Sequence, residues 1–175
     1  MDYEKLVKSY RKKRLIDDKL PTYQTVDYGQ DIIKKIIAHR DPFLLLDSIK
    51  AIDLSEKVIA AKRKVLATDP VFKGHFPEYP VYPGVLQVEM IGQLAVCFYS
   101  FIKNNTHKSE GIKKANVRAL KLFHTLFQYE VLPGDEVEIQ ARFIESDEFK
   151  FKGIGQIIKE KKICTIAVGE FYIVL

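Results

Sequence analysis

His75 stands between Gly74 and Phe76, with Pro77 behind it, and Glu89 follows fourteen residues on, the single acid in a long apolar run. Histidine titrates near neutrality and is the commonest general base. A carboxyl buried among apolar side chains is pushed toward its protonated form, ready to donate a proton near pH 7. Between the two, Pro83-Gly84 opens a helix. Glycine there lets a ligand approach the backbone, and the unpaired N–H groups at the positive end of the helix dipole can hold a carbonyl oxygen as it gains charge. Gln93, one turn beyond Glu89, is spaced to hold its carboxyl. Base, acid and oxyanion donors together suit removal of a proton next to a carbonyl, with departure of a β-hydroxyl. Each feature alone has a plainer reading: a structural histidine, a buried ion pair, an ordinary helix start. Their meeting within residues 70 to 93, which carry four of the seven prolines, makes that stretch a candidate active site.

The elements around it follow from periodicity and turn chemistry. Residues 84 to 103 are apolar nearly all round, which predicts a helix buried on every side. The loop 67 to 83 is too long and proline-rich for regular structure over most of its length, and such loops in small domains are usually functional. Residues 43 to 54 and 57 to 66 read as an antiparallel pair, with Val58, Ala60 and Lys62 on one face and Ile59, Ala61 and Arg63 on the other. Four more strands are predicted over 117–127, 136–145, 149–158 and 162–174, joined by Pro133-Gly134-Asp135 and two further turns. A short helix over 32–38 is expected, capped by Asp31. Residues 1 to 20 read as a charged helix ended by Pro21, and 21 to 29 as a linker. The chain is therefore expected to hold an N-terminal extension, 1–29, and one α+β domain, 30–175, with about six strands bent around one helix.

The totals are those of a soluble globular protein: 175 residues, 47% hydrophobic and 29% charged. The net charge of +5 fits either an acidic partner or lysine-rich solvated faces. Cys97 and Cys164 lie in apolar runs, as buried thiols of a reducing compartment do, so a cytoplasmic location is expected. The apolar helix is long enough to cross a membrane, but Gln87, Glu89 and Gln93 within it favour burial in a protein, and no membrane span is expected.

With these residues in view the chain resembles the 3-hydroxyacyl-[acyl carrier protein] dehydratases of type II fatty-acid synthesis. The resemblance runs in order from about residue 30 to 175. It rests on His39-Arg40 with Pro42-Phe43-Leu44-Leu45 and Asp47, on Asp69-Pro70, Phe72 and Gly74-His75-Phe76-Pro77, and on Pro80, Pro83-Gly84-Val85-Leu86, Glu89 and Gln93. It ends with Phe127, Val131 and Pro133-Gly134-Asp135. It implies the hot-dog fold, with His75 taking the α-proton and Glu89 protonating the leaving hydroxyl or holding it as water. The amides of Gly84 and Val85 would bind the thioester carbonyl, and Phe76 and Gln93 would line the substrate. Glutamate at 89 implies dehydration without isomerisation.

The resemblance further implies a homodimer in which each histidine meets the other subunit's acid, up to a trimer of dimers. The implied partner is an acidic acyl carrier protein bearing the substrate on phosphopantetheine. Neither nucleic acid, metal nor dissociable cofactor is implied. Docking cations could be Lys62, Arg63 and Lys64, or Lys113, Lys114 and Arg118; His39 is read as structural. The chain departs from the family pattern at Ala38, Lys121, Phe123 and 128–130, and its first 28 or so residues have no counterpart in compact members. Two other readings compete with dehydration: thioester hydrolysis on the same fold, and a non-catalytic carrier-binding assembly subunit.

Overall fold

Helix α3, Gly84–Lys103, occupies the span expected of it and forms the axis of the domain. In this computed structural model, which describes residues 1–16, 23–114 and 116–174, one antiparallel sheet bends around that helix. The remaining elements are α1 (Tyr3–Tyr10), β1 (Gln24–Gly29), α2 (Gln30–Ile36), β2 (Ser48–Asp53), β3 (Val58–Lys64), β4 (Val117–Phe127), β5 (Glu136–Ser146), β6 (Lys150–Lys159), β7 (Lys162–Ile173) and a single 3-10 turn, Pro70–Lys73, in the loop before α3. Their order across the sheet is β1-β2-β3-β5-β6-β7-β4. Among the described residues seven strands replace the six or so expected, because residues 24–29 form an edge strand against β2 where a linker was predicted. This is the hot-dog arrangement, a long helix lying in a curled sheet.

Met90, Leu94, Phe98 and Phe101 of α3 are fully buried against the inner face of the sheet. Behind them a file of rings crosses the strands: Phe143 stacks on Phe151 at 4.5 Å, and Phe151 on Phe171 at 4.9 Å. Although α3 is apolar enough to span a bilayer, 61% of its apolar window is buried inside the fold, as for a core helix. Burial is not complete all round, however. Val85 is 72% exposed, and Val88, Glu89 and Gly92 are only partly covered. The helical period places these four on one stripe, left open to the surface.

Other boundaries shifted for local reasons. β2 begins at Ser48 rather than 43, because the backbone at Phe43 and Leu45 is bonded by the Gln93 side chain instead of a neighbouring strand. Gly29, not Asp31, occupies the N-cap of α2, and it supplies no side-chain bond. The two faces of β3 are as expected: Ile59 and Ala61 join the core under α3, while Val58 and Ala60 meet Ala51 and Ile16 on the outer face.

Ile16 belongs to an N-terminal arm that covers that outer face. The predicted helix over 1–20 ends at Tyr10, and its last part, 17–20 with Pro21, lies outside the described residues. Residues 11–16 continue as irregular chain held by two buried glutamines of the sheet. Gln156 Oε1 accepts from the Leu15 amide at 2.9 Å, while its Nε2 donates to the carbonyls of Tyr10 and Lys13. Gln140 Oε1 accepts from the Ile16 amide at 2.9 Å, and Arg14 makes a two-pronged bond to Glu138. Gln156→Leu strands those backbone groups in a buried site. It is expected to cost about 2 kcal/mol of stability in chemical denaturation, with the midpoint shifted accordingly.

Candidate active site

Glu89 sits on the open stripe of α3, and its carboxylate is held by two donors. Gln93 Nε2 donates to Glu89 Oε1 at 3.0 Å, and His39 Nε2 lies 3.3 Å from the same oxygen. Gln93 is itself locked, since its Oε1 accepts from the Leu45 amide at 2.9 Å and its Nε2 also reaches the Phe43 carbonyl at 2.8 Å. The acid thus has a fixed direction, set by one buried glutamine that ties α3 to the chain before β2. Gln93→Leu removes this tether, and kcat/KM is expected to fall roughly tenfold from mispositioning alone.

The protonation expected of Glu89 is reversed. Burial is the largest single influence and pushes its pKa up, but the bonds from His39 and Gln93, with the His39 charge, together outweigh it and hold the carboxyl below its ordinary 4.5. Glu89 is ionised at neutral pH. Apolar neighbours alone predict a protonated acid; the structure differs because His39, expected to be structural and bonded near the loop, faces Glu89. The motif His39-Arg40-Asp41-Pro42 was visible; its position opposite the helix was not.

His75 lies on the other side of Val85. Its Nδ1 is 2.8 Å from the Val81 carbonyl. A carbonyl only accepts, so Nδ1 carries a proton, and in the neutral imidazole Nε2 is the nitrogen with the free lone pair. Phe76, half exposed, stacks on the imidazole with ring centroids 4.1 Å apart. The loop is fixed from below by a second network. Arg63, nearly buried, bonds Asp47 at 3.0 Å and Asp69 at 3.2 Å, and Phe72 packs beneath it against Tyr82. Burial pushes the Tyr82 phenol up to about 12, so it remains neutral. Arg63 is therefore spent on shaping the loop, and its neighbours Lys62 and Lys64 bond Glu136 and the Gly134 carbonyl.

Pro83 caps α3, its carbonyl accepting from the Leu86 and Gln87 amides. The amides of Gly84 and Val85, ahead of the first intrahelical bonds, have no acceptor among the described residues. A Cβ on Gly84 would lie 2.6 Å from the Phe127 ring, so that ring leaves no room for any larger residue unless it moves.

Two cavities flank Val85. One, of about 650 Å³, is mostly apolar and holds Glu89 with His39, Phe43, Val88 and Gly92 on one wall and β4 and Phe171 on the other. The second, about 390 Å³, holds His75, Pro83, Gly84 and Phe127. Glu89 and Gln93 are thus brought together, as are His75, Gly84 and Val85, but base and acid line different cavities within one chain.

The FabA-like domain family matches residues 37–166, which include His39, His75, Gly84, Val85, Glu89 and Gln93. The chain belongs to the FabA-like family. Among curated sequences, the 3-hydroxyacyl-[acyl-carrier-protein] dehydratase of Ruminiclostridium cellulolyticum is 39% identical over 114 residues, covering 65% of this chain and 75% of its own. That of Chlamydia muridarum is 34% identical over 152 residues, 84% of this chain and 92% of its own. Among solved structures, the dehydratase heterocomplex ApeI:P of Xenorhabdus doucetiae superposes with a TM-score of 0.64. It does so at 15% identity, over 82% of this chain and 91% of that one. That likeness concerns the fold alone. Within this FabA-like protein, the arm of residues 1–16 lies before the matched span.

Proposed function

We propose that this FabA-like protein converts 3-hydroxyacyl thioesters on acyl carrier protein to trans-2-enoyl thioesters in fatty-acid or related lipid synthesis, using half-sites from two copies of the chain. The observation that carries this reading is the separation of His75 from Glu89 by Val85, each with its own supporting bonds. Similarity to curated dehydratases over most of the chain supports the reaction.

β4 is the edge of the sheet, and its Leu120, Leu122 and Phe127 are exposed beside Val85. An exposed apolar edge strand is a template for pairing. A second copy added there by a two-fold axis would bring its loop toward the Glu89 cavity and bury the open stripe of α3. The homodimer is then the minimum active unit.

In each shared site His75 Nε2 removes the proton from C2, and charge moves onto the thioester oxygen held by the Gly84 and Val85 amides. The C3–O bond then breaks as the C2–C3 double bond forms, and the hydroxyl leaves with that proton as water. Glu89, ionised, accepts from the 3-hydroxyl and orients it. The lowered pKa of its carboxyl supports the second of its two expected roles, holding the hydroxyl rather than protonating it. The scheme uses side chains and amides only, with phosphopantetheine as part of the substrate. The free, buried thiols of Cys97 and Cys164 suit a reducing cytoplasm.

Crotonyl thioester incubated with the purified protein should lose enoyl absorbance by the reverse hydration. Release of free thiol instead would indicate hydrolysis, and a folded dimer with no hydration would indicate a carrier-binding subunit.

A further inference from the structure

The N-terminal arm holds a run of cations that the dehydration scheme leaves unused. Arg11, Lys12 and Lys13 are exposed, and none makes an ion pair with a described residue. They are not on a loose tail. The carbonyls of Tyr10, just before the run, and of Lys13, its last residue, accept from Gln156 Nε2, and the Arg11 carbonyl accepts from Gln128 Nε2 at 3.0 Å.

Gln128 places them. Its second bond, to the Ile163 carbonyl at 2.9 Å, anchors it at the end of the sheet. With Tyr129 and Glu130 it also lines the cavity that holds His75. The arm's cations therefore lie one side chain away from the rim of the His75 half-site. Lys162, exposed and 5.9 Å from the Tyr129 ring centroid, extends the basic surface along that rim. Glu130 is the opposing charge there, and its carboxylate is engaged by the Tyr79 hydroxyl.

A substrate tethered to an acidic carrier must hold its thioester at His75 while the carrier body rests on the surrounding surface. Cations carried on a backbone held in place beforehand favour such docking, because little backbone freedom is lost on binding. The other cations suggested by sequence serve less well. Lys62, Arg63 and Lys64 are engaged within the fold. Lys113 and Lys114 come ten residues after α3, whose far end at Lys103 is roughly 30 Å from Gly84 by helix rise, and Arg118 lines the Glu89 cavity rather than that of His75.

We propose that Arg11, Lys12 and Lys13 form the docking surface for the acidic acyl carrier protein at the His75 half-site. This rests on the dehydratase reading, and the arm is the part of the chain that adapts the site to its carrier.

The variant Arg11→Gln/Lys12→Gln/Lys13→Gln leaves Arg14 and the backbone bonds untouched. Binding of labelled acyl carrier protein by fluorescence anisotropy at low salt should weaken about tenfold. Turnover of the corresponding N-acetylcysteamine thioester, which has no carrier body, should be unchanged. Lys108→Gln/Lys113→Gln/Lys114→Gln, with the same change in net charge, should bind carrier as wild type does. Carrier binding unaltered in the arm variant, equally weakened in both variants, or lost together with turnover of the small thioester would overturn the proposal. If wild-type protein fails to turn over the small thioester, the dehydratase reading falls, while the binding comparison still decides whether the arm docks a carrier. Anionic lipid vesicles serve as a further arm: loss of vesicle binding without loss of carrier binding would also overturn it.

Discussion

His75→Ala is expected to lower kcat for dehydration by at least about a hundredfold, with a small change in KM. The imidazole is the group whose free nitrogen, Nε2, takes the proton in the transition state; the bond from Nδ1 to the Val81 carbonyl fixes that tautomer. Groove, amides and acid remain after the substitution, so ground-state binding survives while the barrier rises. The loop should persist, because its anchors are Arg63, bonded to Asp47 and Asp69, and Phe72, packed on Tyr82. Stopped-flow or steady-state assays of enoyl formation read the loss directly. A variant within a few-fold of wild type would remove His75 from the mechanism.

Glu89→Gln is expected to cause a loss of similar size, about a hundredfold in kcat, for a different reason. The amide has nearly the carboxylate's shape, and Gln93 keeps its two backbone bonds, so folding should be preserved. What disappears is the negative charge that His39 and Gln93 stabilise and that accepts from the substrate hydroxyl. An amide nitrogen turned toward the two donors would repel them, and an amide oxygen turned toward them would leave nothing to accept the hydroxyl. Near-native activity in this variant would mean that the hydroxyl departs without help from position 89.

The long apolar helix, the strands from 117 onward and the Gly74-His75-Phe76-Pro77 loop were legible in the sequence because each has a local signature. Periodicity marks α3, alternation marks β5, and prolines mark the loop. Gln93 was legible as well, since its spacing to Glu89 is a helical turn. The charge state of Glu89 was not, because it depends on His39, fifty residues earlier in the chain and on another element. β1 was hidden for a related reason: its residues 24–29 are mostly polar and exposed, and only pairing with β2 makes them a strand. The arm was misread over its second half because its buried groups, Leu15 and Ile16, are satisfied by Gln140 and Gln156, whose positions no local pattern reveals.

The shared site itself is tested by mixing the two inactive variants. His75→Ala and Glu89→Gln subunits are combined in equal amounts, allowed to exchange, and assayed for dehydration, with heterodimer formation followed by native mass spectrometry. If each site takes its histidine from one chain and its acid from the other, a mixed dimer has one intact and one doubly impaired site. Random exchange should then restore roughly one quarter of wild-type activity. Heterodimers that form in the expected proportion yet show only the residual activity of the parents would place both residues within one chain's site and contradict the half-site arrangement.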